Sequence, residues 1–269
     1  GGYKETVSKM TVNDLTKYKK SQYVAKNTTV VVAGNFNEAK VIDLVGKAFG
    51  SLTKSNPKPT QKTKIYRDGP RVGVKNKTTD QTHLVLGVRT FPVGDKRNDI
   101  LWAMSLILSG GMSSRLFQKM REDLGICYYV SAANLSSSDH GEFNVWAGVD
   151  PLRFDEAVKE ICLELGKLKT ELVSVEELKR AVDATVSRMY MELETCGSVS
   201  GYYASRWMFH KDLVDPTQRE KELRSITPKD IKRVANEIFE PKNFVFSVVG
   251  NSLSEKKVKK TVQQAIKNW

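Results

Sequence analysis

Three histidines, His83, His140 and His210, are the only imidazoles with which this chain could hold a metal ion. Zinc hydrolases bind their metal through two His one helical turn apart, with a carboxylate nearby. The three residues are separated by 57 and 70 positions, so no two of them have that spacing. The sequence therefore predicts no metal ligands in this chain, and His83 and His210 are expected to be structural or exposed.

Neither a serine-hydrolase elbow nor a complete phosphate loop is present. The G-x-S-x-G pattern that exposes a catalytic serine does not occur. Gly110-Gly111-Met112-Ser113-Ser114 precedes a predicted helix and could offer backbone amides to an anion. It lacks the Lys-Ser/Thr of a P-loop and a full G-x-G-x-x-G pattern. A tight turn between two helices is therefore the favoured interpretation, with anion binding as the alternative.

Arg121 and Tyr128 form a more interesting pair. Arg121 lies late in a predicted helix, and Tyr128 follows seven residues on, across a break at Gly125, at the start of a predicted strand. A guanidinium carries a fork of donors and a phenol both donates and accepts, so the two side chains could converge on one carbonyl or carboxylate. From these residues alone, a surface Arg and a core Tyr remain the stronger interpretation.

Hydrophobic periodicity predicts the elements that would position this pair. Alternation predicts two strands around Val72–Val74 and Leu84–Val88, and then a hairpin broken at Ser136–Gly141. Helical patterns cover Ile100–Leu108, Leu116–Met120, Phe154–Leu172, Leu178–Glu194 (opened by a capping box at Ser174–Glu177) and Ser198–His210. Helices come in blocks rather than alternating with strands. This order predicts an α+β fold, a two-layer, mostly antiparallel sheet with helices packed on one face.

The sequence also contains an internal repeat. Residues 11–35 (TVNDLTKYKKSQYVAKNTTVVVAGN) align with residues 227–251 (TPKDIKRVANEIFEPKNFVFSVVGN) at a constant offset of 216. Identical pairs are Thr11/Thr227, Asp14/Asp230, Lys26/Lys242, Asn27/Asn243, Gly34/Gly250 and Asn35/Asn251. Both copies predict a capped helix, a loop, a buried strand, a Gly-Asn break and a second amphipathic helix. The second helix should bury Val41, Ile42, Val45, Ala48 and Phe49 in the first copy, and Val258, Val262, Ala265 and Trp269 in the second.

The repeat has a consequence for domain organisation. Residues 70–226 precede the second copy, whereas only ten residues precede the first. If the two domains are equivalent, the first lacks about 147 residues from its front, and the chain is a fragment. We therefore expect residues 1–53 to be the C-terminal remnant of a first domain. Residues 54–67, rich in Pro and Lys, are expected to be a linker, and residues 68–269 a complete, metal-free second domain.

Charge and apolar runs exclude other classes of protein. The net charge of +12 is concentrated in residues 1–66, which hold twelve Lys, no Arg and four acidic residues. These lysines are scattered without an aromatic or Arg-rich cluster, so they predict a solvated surface, or one facing an acidic neighbour, rather than a phosphate track. The longest largely apolar run, Ile100–Leu108, is far shorter than the roughly 18–20 residues of a membrane span.

Cysteine usage gives an expectation about compartment. Cys127, Cys162 and Cys196 are odd in number and never form a C-x-x-C pair, which argues against a disulfide framework and against a thiolate zinc site. Small buried thiols in a reducing environment are the simplest interpretation. An intracellular location is therefore favoured, although the sequence does not identify a compartment.

Ser109–Ala132, SGGMSSRLFQKMREDLGICYYVSA, closely resembles a motif of the pitrilysin/insulinase-like zinc peptidases, the group that includes mitochondrial processing peptidase. That motif reads G-G-x-S-S-R-L-F-x-x-(hydrophobic)-R-E-x-x-G-(hydrophobic)-x-Y. Three further segments of the chain are similar to the family: HGEFNVWAGVDP, SVEELKRA and the Thr-x-x-Asp to Val-Val-Gly-Asn ending.

The resemblance implies two homologous α+β domains that close around an unfolded peptide. In such peptidases the first domain carries H-x-x-E-H with a distal Glu ligand, and the second, metal-free domain contributes an Arg and a Tyr seven apart. Arg121 and Tyr128 match that pair in type and spacing, so the resemblance makes them substrate-binding residues. The H-x-x-E-H pattern is absent from the chain. Zinc is therefore expected only in the full-length enzyme, and the chain alone is predicted to be inactive, with no catalytic or metal-binding residue.

The expected function is the C-terminal, substrate-binding part of a zinc-dependent metalloendopeptidase. Its expected partners are a peptide or unfolded protein substrate and either a missing N-terminal half or a catalytic partner subunit, in a homo- or heterodimer. The alternative is a non-catalytic structural or partner subunit of the same family. A basic nucleic-acid-binding module is a third hypothesis, which steeply salt-dependent binding of DNA or RNA would support.

Overall fold

A computed structural model describes residues 2–64 and 71–267 of the chain. These residues divide into two compact units: one runs to Lys62 and includes Glu192–Leu213, and the other holds Thr63–Met191 and the residues from Val214 onward. The predicted division placed residues 192–213 in the second domain, whereas here they pack with the N-terminal residues. Residues 65–67 of the predicted linker, the predicted boundary at 68 and Trp269 lie outside the described residues. The homology of the two domains stays a prediction.

A single five-stranded sheet organises the described residues of the second unit. Its strands are β1 (Arg71–Asn76), β2 (Thr82–Thr90), β3 (Cys127–Ser136), β4 (Gly141–Val149) and β5 (Phe244–Gly250). The strand order is β1-β5-β2-β4-β3. Only β1 and β5 pair in parallel, and the remaining pairs are antiparallel. The predicted α+β fold with a mostly antiparallel sheet is confirmed, with one unforeseen feature: the C-terminal strand β5 lies between β1 and β2.

Helices cover one face of this sheet. The helices of the second unit are α4 (Arg97–Ser109), α5 (Phe154–Thr170), α6 (Val175–Glu192), α8 (Pro216–Arg224), α9 (Pro228–Ile238) and α10 (Glu255–Ile266), with a π-helix at Phe117–Asp123. Alternate strand residues such as Leu84, Leu86 and Val88 are buried in the core under them. Each such side chain contributes about 1.5–3 kcal/mol by leaving water. No helix in the described part of the chain is both long and apolar enough to cross a membrane.

The first unit is built from short helices with little apolar burial. It contains α1 (Lys4–Val7), α2 (Val12–Gln22), α3 (Glu38–Phe49) and α7 (Cys196–Ser205), which continues as a π-helix at Arg206–His210. Val24 is fully buried, but most large apolar side chains of this unit are exposed, including Leu15, Tyr18, Ile42 and Phe49. The sequence predicted a buried face on α3. Of that face, Ile42, Ala48 and Phe49 are exposed, and Val41 and Val45 are half-buried.

The two copies of the repeat share their local conformation. Thr11 and Thr227 each cap a helix in a reciprocal capping box with the Asp three residues later. The helices end at Tyr23 and Phe239, whose φ/ψ angles are −86°/69° and −82°/67°. The copies differ at the strand. Residues 244–250 form β5, whereas residues 28–33 belong to no helix or strand of the described structure. A segment becomes a strand only when neighbouring strands bond its backbone.

Candidate functional site

The described histidines do not form a metal centre. The Nδ1 atom of His83 shares a hydrogen bond with the hydroxyl of Tyr129 at 3.0 Å, and Nδ1 of His140 lies 2.8 Å from Oδ1 of Asp139. Within residues 2–64 and 71–267, no three His, Cys, Asp or Glu side chains are placed to hold a metal ion. The described residues therefore do not fit zinc, and the zinc expected for a full-length enzyme would need ligands from outside them.

The glycine-rich segment after α4 forms the predicted tight turn. Ser114 Oγ donates to the carbonyl of Gly111 at 2.5 Å, and the Ser114 amide donates to the same carbonyl at 3.0 Å. These bonds close the turn that leads into the next helix, the end of which carries Arg121. The turn thus sets where the helix that carries Arg121 begins.

A bidentate ion pair fixes the same helix to α6. Arg115 Nε and Nη2 donate to the two carboxylate oxygens of Glu177 at 2.6 and 2.9 Å. Glu177 also completes the predicted capping box of α6 with Ser174. The Arg115 guanidinium, followed by the backbone hydrogen bond from Ser174, lowers the pKa of Glu177 to about 2. The Arg of the S-S-R motif is therefore structural and holds the front of the helix in place.

Arg121 lies in the π-helix Phe117–Asp123. Single π-helical turns are rare and are frequent at functional sites, because they re-aim side chains relative to a regular helix. The segment ends at Gly125, whose φ of +59° suits a residue without a Cβ. Arg153 Nη1 then donates to the carbonyl of Leu124 at 2.5 Å and anchors the connection to β3. The π-helix that carries Arg121, the break at Gly125 and the start of β3 are thus fixed relative to one another.

Tyr128 sits on a β-bulge. Cys127 is paired with Val149 and Tyr129 with Gly148, so Tyr128 is an extra residue with no partner of its own on β4. Bulges re-aim side chains and occur next to active sites. The Tyr128 side chain is 62% exposed, so the interpretation of Tyr128 as a core residue is wrong.

The structure brings Arg121 and Tyr128 together through the backbone. Arg121 Nη1 donates to the main-chain carbonyl of Tyr128 at 2.5 Å, and its guanidinium lies 5.4 Å from the centre of the Phe117 ring. Its charge is close enough to offset part of the rise that burial causes in the pKa of the Cys127 thiol. Among the described residues, the other donors of Arg121 and the hydroxyl of Tyr128 have no hydrogen-bond partner. Both side chains therefore present unused polar groups at one exposed spot.

Sequence reasoning expected His83 to be structural or exposed, but it did not connect this residue with Tyr129 and Gly148, which adjoin Tyr128 on the sheet. Tyr129 stacks on His83 with 6.1 Å between ring centres and 25° between ring planes. Gly148 is the register partner of both residues, one on each neighbouring strand. These residues lie far apart along the chain and form no motif, so only the strand register reveals them.

Comparison with known proteins gives one family match. Residues 9–185 match the family model described as the peptidase M16 inactive domain. Among curated proteins, an uncharacterised zinc protease of Rickettsia felis is 31% identical over 242 residues, and one of Streptomyces coelicolor is 27% identical over 243. Each alignment covers 88% of this chain but only 57% and 53% of the respective relative. The chain thus spans slightly more than half the length of these relatives.

Solved structures agree with this match. A protease from Helicobacter pylori superimposes with a TM-score of 0.81 at 26% identity, covering 92% of this chain and 61% of that one. A peptidase M16 inactive domain from Pseudomonas fluorescens gives a TM-score of 0.77 over 94% of this chain and 61% of that one. At 15% identity, this second likeness concerns the fold alone.

Proposed function

The chain belongs to the peptidase M16 family through the inactive domain of that family, and from this premise we propose that it supplies the substrate-binding part of a zinc-dependent metalloendopeptidase. The proposal rests on one observation: Arg121, on a π-helix, bonds the main-chain carbonyl of Tyr128, on a β-bulge, and within the described residues its other donors and the Tyr128 hydroxyl have no partner. Since the described residues do not fit zinc, the catalytic zinc of this proposal belongs to another half or subunit.

In this function Arg121 and Tyr128 bind the peptide next to the scissile bond. Arg121 donates one hydrogen bond to the Tyr128 carbonyl. This bond orients the guanidinium and leaves its remaining N–H groups for substrate oxygens. The Tyr128 hydroxyl donates to, and helps polarise, a peptide carbonyl. The Arg121 guanidinium is held by its bond to the Tyr128 carbonyl before substrate arrives, so less ordering of that group is required on binding.

The exposed first repeat supports the need for a partner half. In the second repeat, Ile231, Val234, Phe246 and Val248 are buried, whereas their counterparts Leu15, Tyr18, Val30 and Val32 are exposed. Strand β5 is bonded on both edges, by β1 and β2, and residues 28–33 have no described strand partner. The partner we propose is an α+β half that supplies strands on both sides of residues 28–33 and helices over α2 and α3.

Substitution at both positions tests the function in an enzyme completed with the catalytic half, in cis or in trans. A neutral hydrogen bond contributes about 0.5–1.5 kcal/mol and a charged one about 1.5–3 kcal/mol. Tyr128→Phe should therefore lower kcat/KM roughly 2–13-fold, and Arg121→Ala roughly 10–150-fold, with zinc content and melting temperature unchanged. Arg188→Ala, at an exposed arginine of α6, is the matched control.

The competing function is a non-catalytic partner subunit of the same family. Full activity of both variants would contradict substrate binding and favour that function. Activity lost only in step with thermal stability would assign Arg121 and Tyr128 a purely structural role.

A further inference from the structure

The bulge at Tyr128 reverses the side on which Tyr129 lies. In a regular strand, alternate residues share a face, so Tyr129 would follow Cys127 into the buried side of the sheet. The extra residue changes this alternation. Cys127 remains buried, whereas Tyr129 lies on the partly exposed face and stacks on His83 of β2. The position of Tyr129 therefore reports whether the bulge is formed.

Gly148 provides the space that this arrangement needs. On β4 it is the register partner of Tyr129 on one side and of His83 on the other. A Cβ at position 148 would lie 2.3 Å from Cε1 of Tyr129, which is far inside van der Waals contact. The tyrosine ring thus lies over the glycine and spans β4, and its hydroxyl reaches Nδ1 of His83 at 3.0 Å.

We infer that His83 and Tyr129 are positioning residues: their contact maintains the β-bulge that leaves the Tyr128 side chain exposed to substrate. Two contacts hold the bulge in place. Arg121 bonds the Tyr128 carbonyl, and the His83–Tyr129 hydrogen bond keeps the next residue on the exposed face. Loss of the His83–Tyr129 hydrogen bond would leave the Tyr129 ring unrestrained, and the bulged pairing of β3 with β4 at Tyr128 would become less stable. The inference rests on the proposed substrate-binding role of Tyr128.

Three variants test the inference in the completed enzyme. Tyr129→Phe and His83→Leu remove the hydrogen bond, and His83→Gln keeps a polar partner for the hydroxyl. Loss of one neutral hydrogen bond should lower kcat/KM roughly 2–10-fold in the first two variants, with activity restored in the third. Ser131→Ala, at the next residue of β3 on the same face, is the matched control and should stay at wild-type activity.

Double variants separate positioning from general destabilisation. If His83 and Tyr129 act through the Tyr128 hydroxyl, then Tyr129→Phe or His83→Leu should lower kcat/KM no further in a Tyr128→Phe background. Losses that multiply in that background would overturn the inference. So would full activity of Tyr129→Phe and His83→Leu while Tyr128→Phe and Arg121→Ala remain impaired, a result that leaves the proposed function standing. Full activity of all four variants would refute the proposed function, and the inference with it.

Amide hydrogen exchange gives a second readout that needs no catalysis. In this chain alone, residues 126–130 should exchange at least about 2-fold faster in Tyr129→Phe and His83→Leu than in Ser131→Ala. Unchanged exchange in this segment would also overturn the inference, because the hydrogen bond would then not hold the bulge.

Discussion

The internal repeat provides a matched pair of substitutions, Leu15→Ala and Ile231→Ala. The two residues occupy the same position of the repeat and follow the same capping box. Ile231 is 0% exposed, whereas Leu15 is 57% exposed. Truncation of a buried Ile to Ala costs about 2–5 kcal/mol, because apolar contact is lost and a cavity remains. Truncation at an exposed position changes stability by less than about 0.5 kcal/mol.

Urea and thermal unfolding of this chain measure both values. For a unit of this size, 1 kcal/mol corresponds to roughly 2–4 °C in Tm. Ile231→Ala should therefore lower Tm by about 4–20 °C, and Leu15→Ala by no more than about 2 °C. A Leu15→Ala cost close to that of Ile231→Ala would refute the reasoning, because it would mean that the first repeat is already packed. When the proposed partner half is supplied, Leu15→Ala should become costly, and the stability of the complex measures this change.

Three further predictions concern buried and titratable groups. Glu177→Gln should remove part of the acid sensitivity of folding. The Arg115 guanidinium holds the pKa of Glu177 at about 2, against an ordinary value of 4.5. The stability that the ionised Glu177 contributes is therefore complete above pH 4.5 and is lost as the pH falls towards 2. Because Glu177 is partly exposed, this contribution is reduced to about 1–2 kcal/mol. Urea unfolding at pH 7 and pH 3 measures it, and an equal pH dependence of stability in wild type and variant would contradict the prediction. Thr82→Val should raise the free energy of unfolding by about 1 kcal/mol, because the buried Thr82 hydroxyl has no hydrogen-bond partner among the described residues; a lower Tm would contradict this. A thiol reagent at pH 8 should modify the exposed Cys196 first and leave Cys162 unmodified. The reason is that burial raises the pKa of the Cys162 thiol to about 12. Mass spectrometry of the labelled peptides identifies which cysteine has reacted.

Two arginines of the recognisable motif have different tasks. Arg115 is largely buried in a bidentate pair with Glu177. Arg121 is exposed, and within residues 2–64 and 71–267 only one of its donors is used. Arg115→Ala should therefore reduce stability, because it leaves the Glu177 carboxylate without its main partner. Arg121→Ala should reduce activity at constant stability. The motif thus combines one residue that fixes the helix with one that faces outward.

Local sequence determined the elements and their ends. The capping boxes at Thr11, Thr227 and Ser174 are present as predicted, because a cap depends on residues within one helical turn. The hairpin break at Ser136–Gly141 and the α+β order are also confirmed. The spacing of Arg121 and Tyr128 was visible in the sequence. Their assignment to substrate binding came from the family resemblance and stays a proposal.

Tertiary structure alone decided which atoms meet and which faces are covered. The insertion of β5 between β1 and β2, the bulge at Tyr128 and the contact of Tyr129 with His83 all depend on strand register. Register is set by the packing of whole strands and is not encoded in the spacing of any short segment. The same reason explains the first repeat. Its sequence dictates an amphipathic helix and an extended segment, but burial requires a neighbour that residues 11–50 cannot provide for themselves.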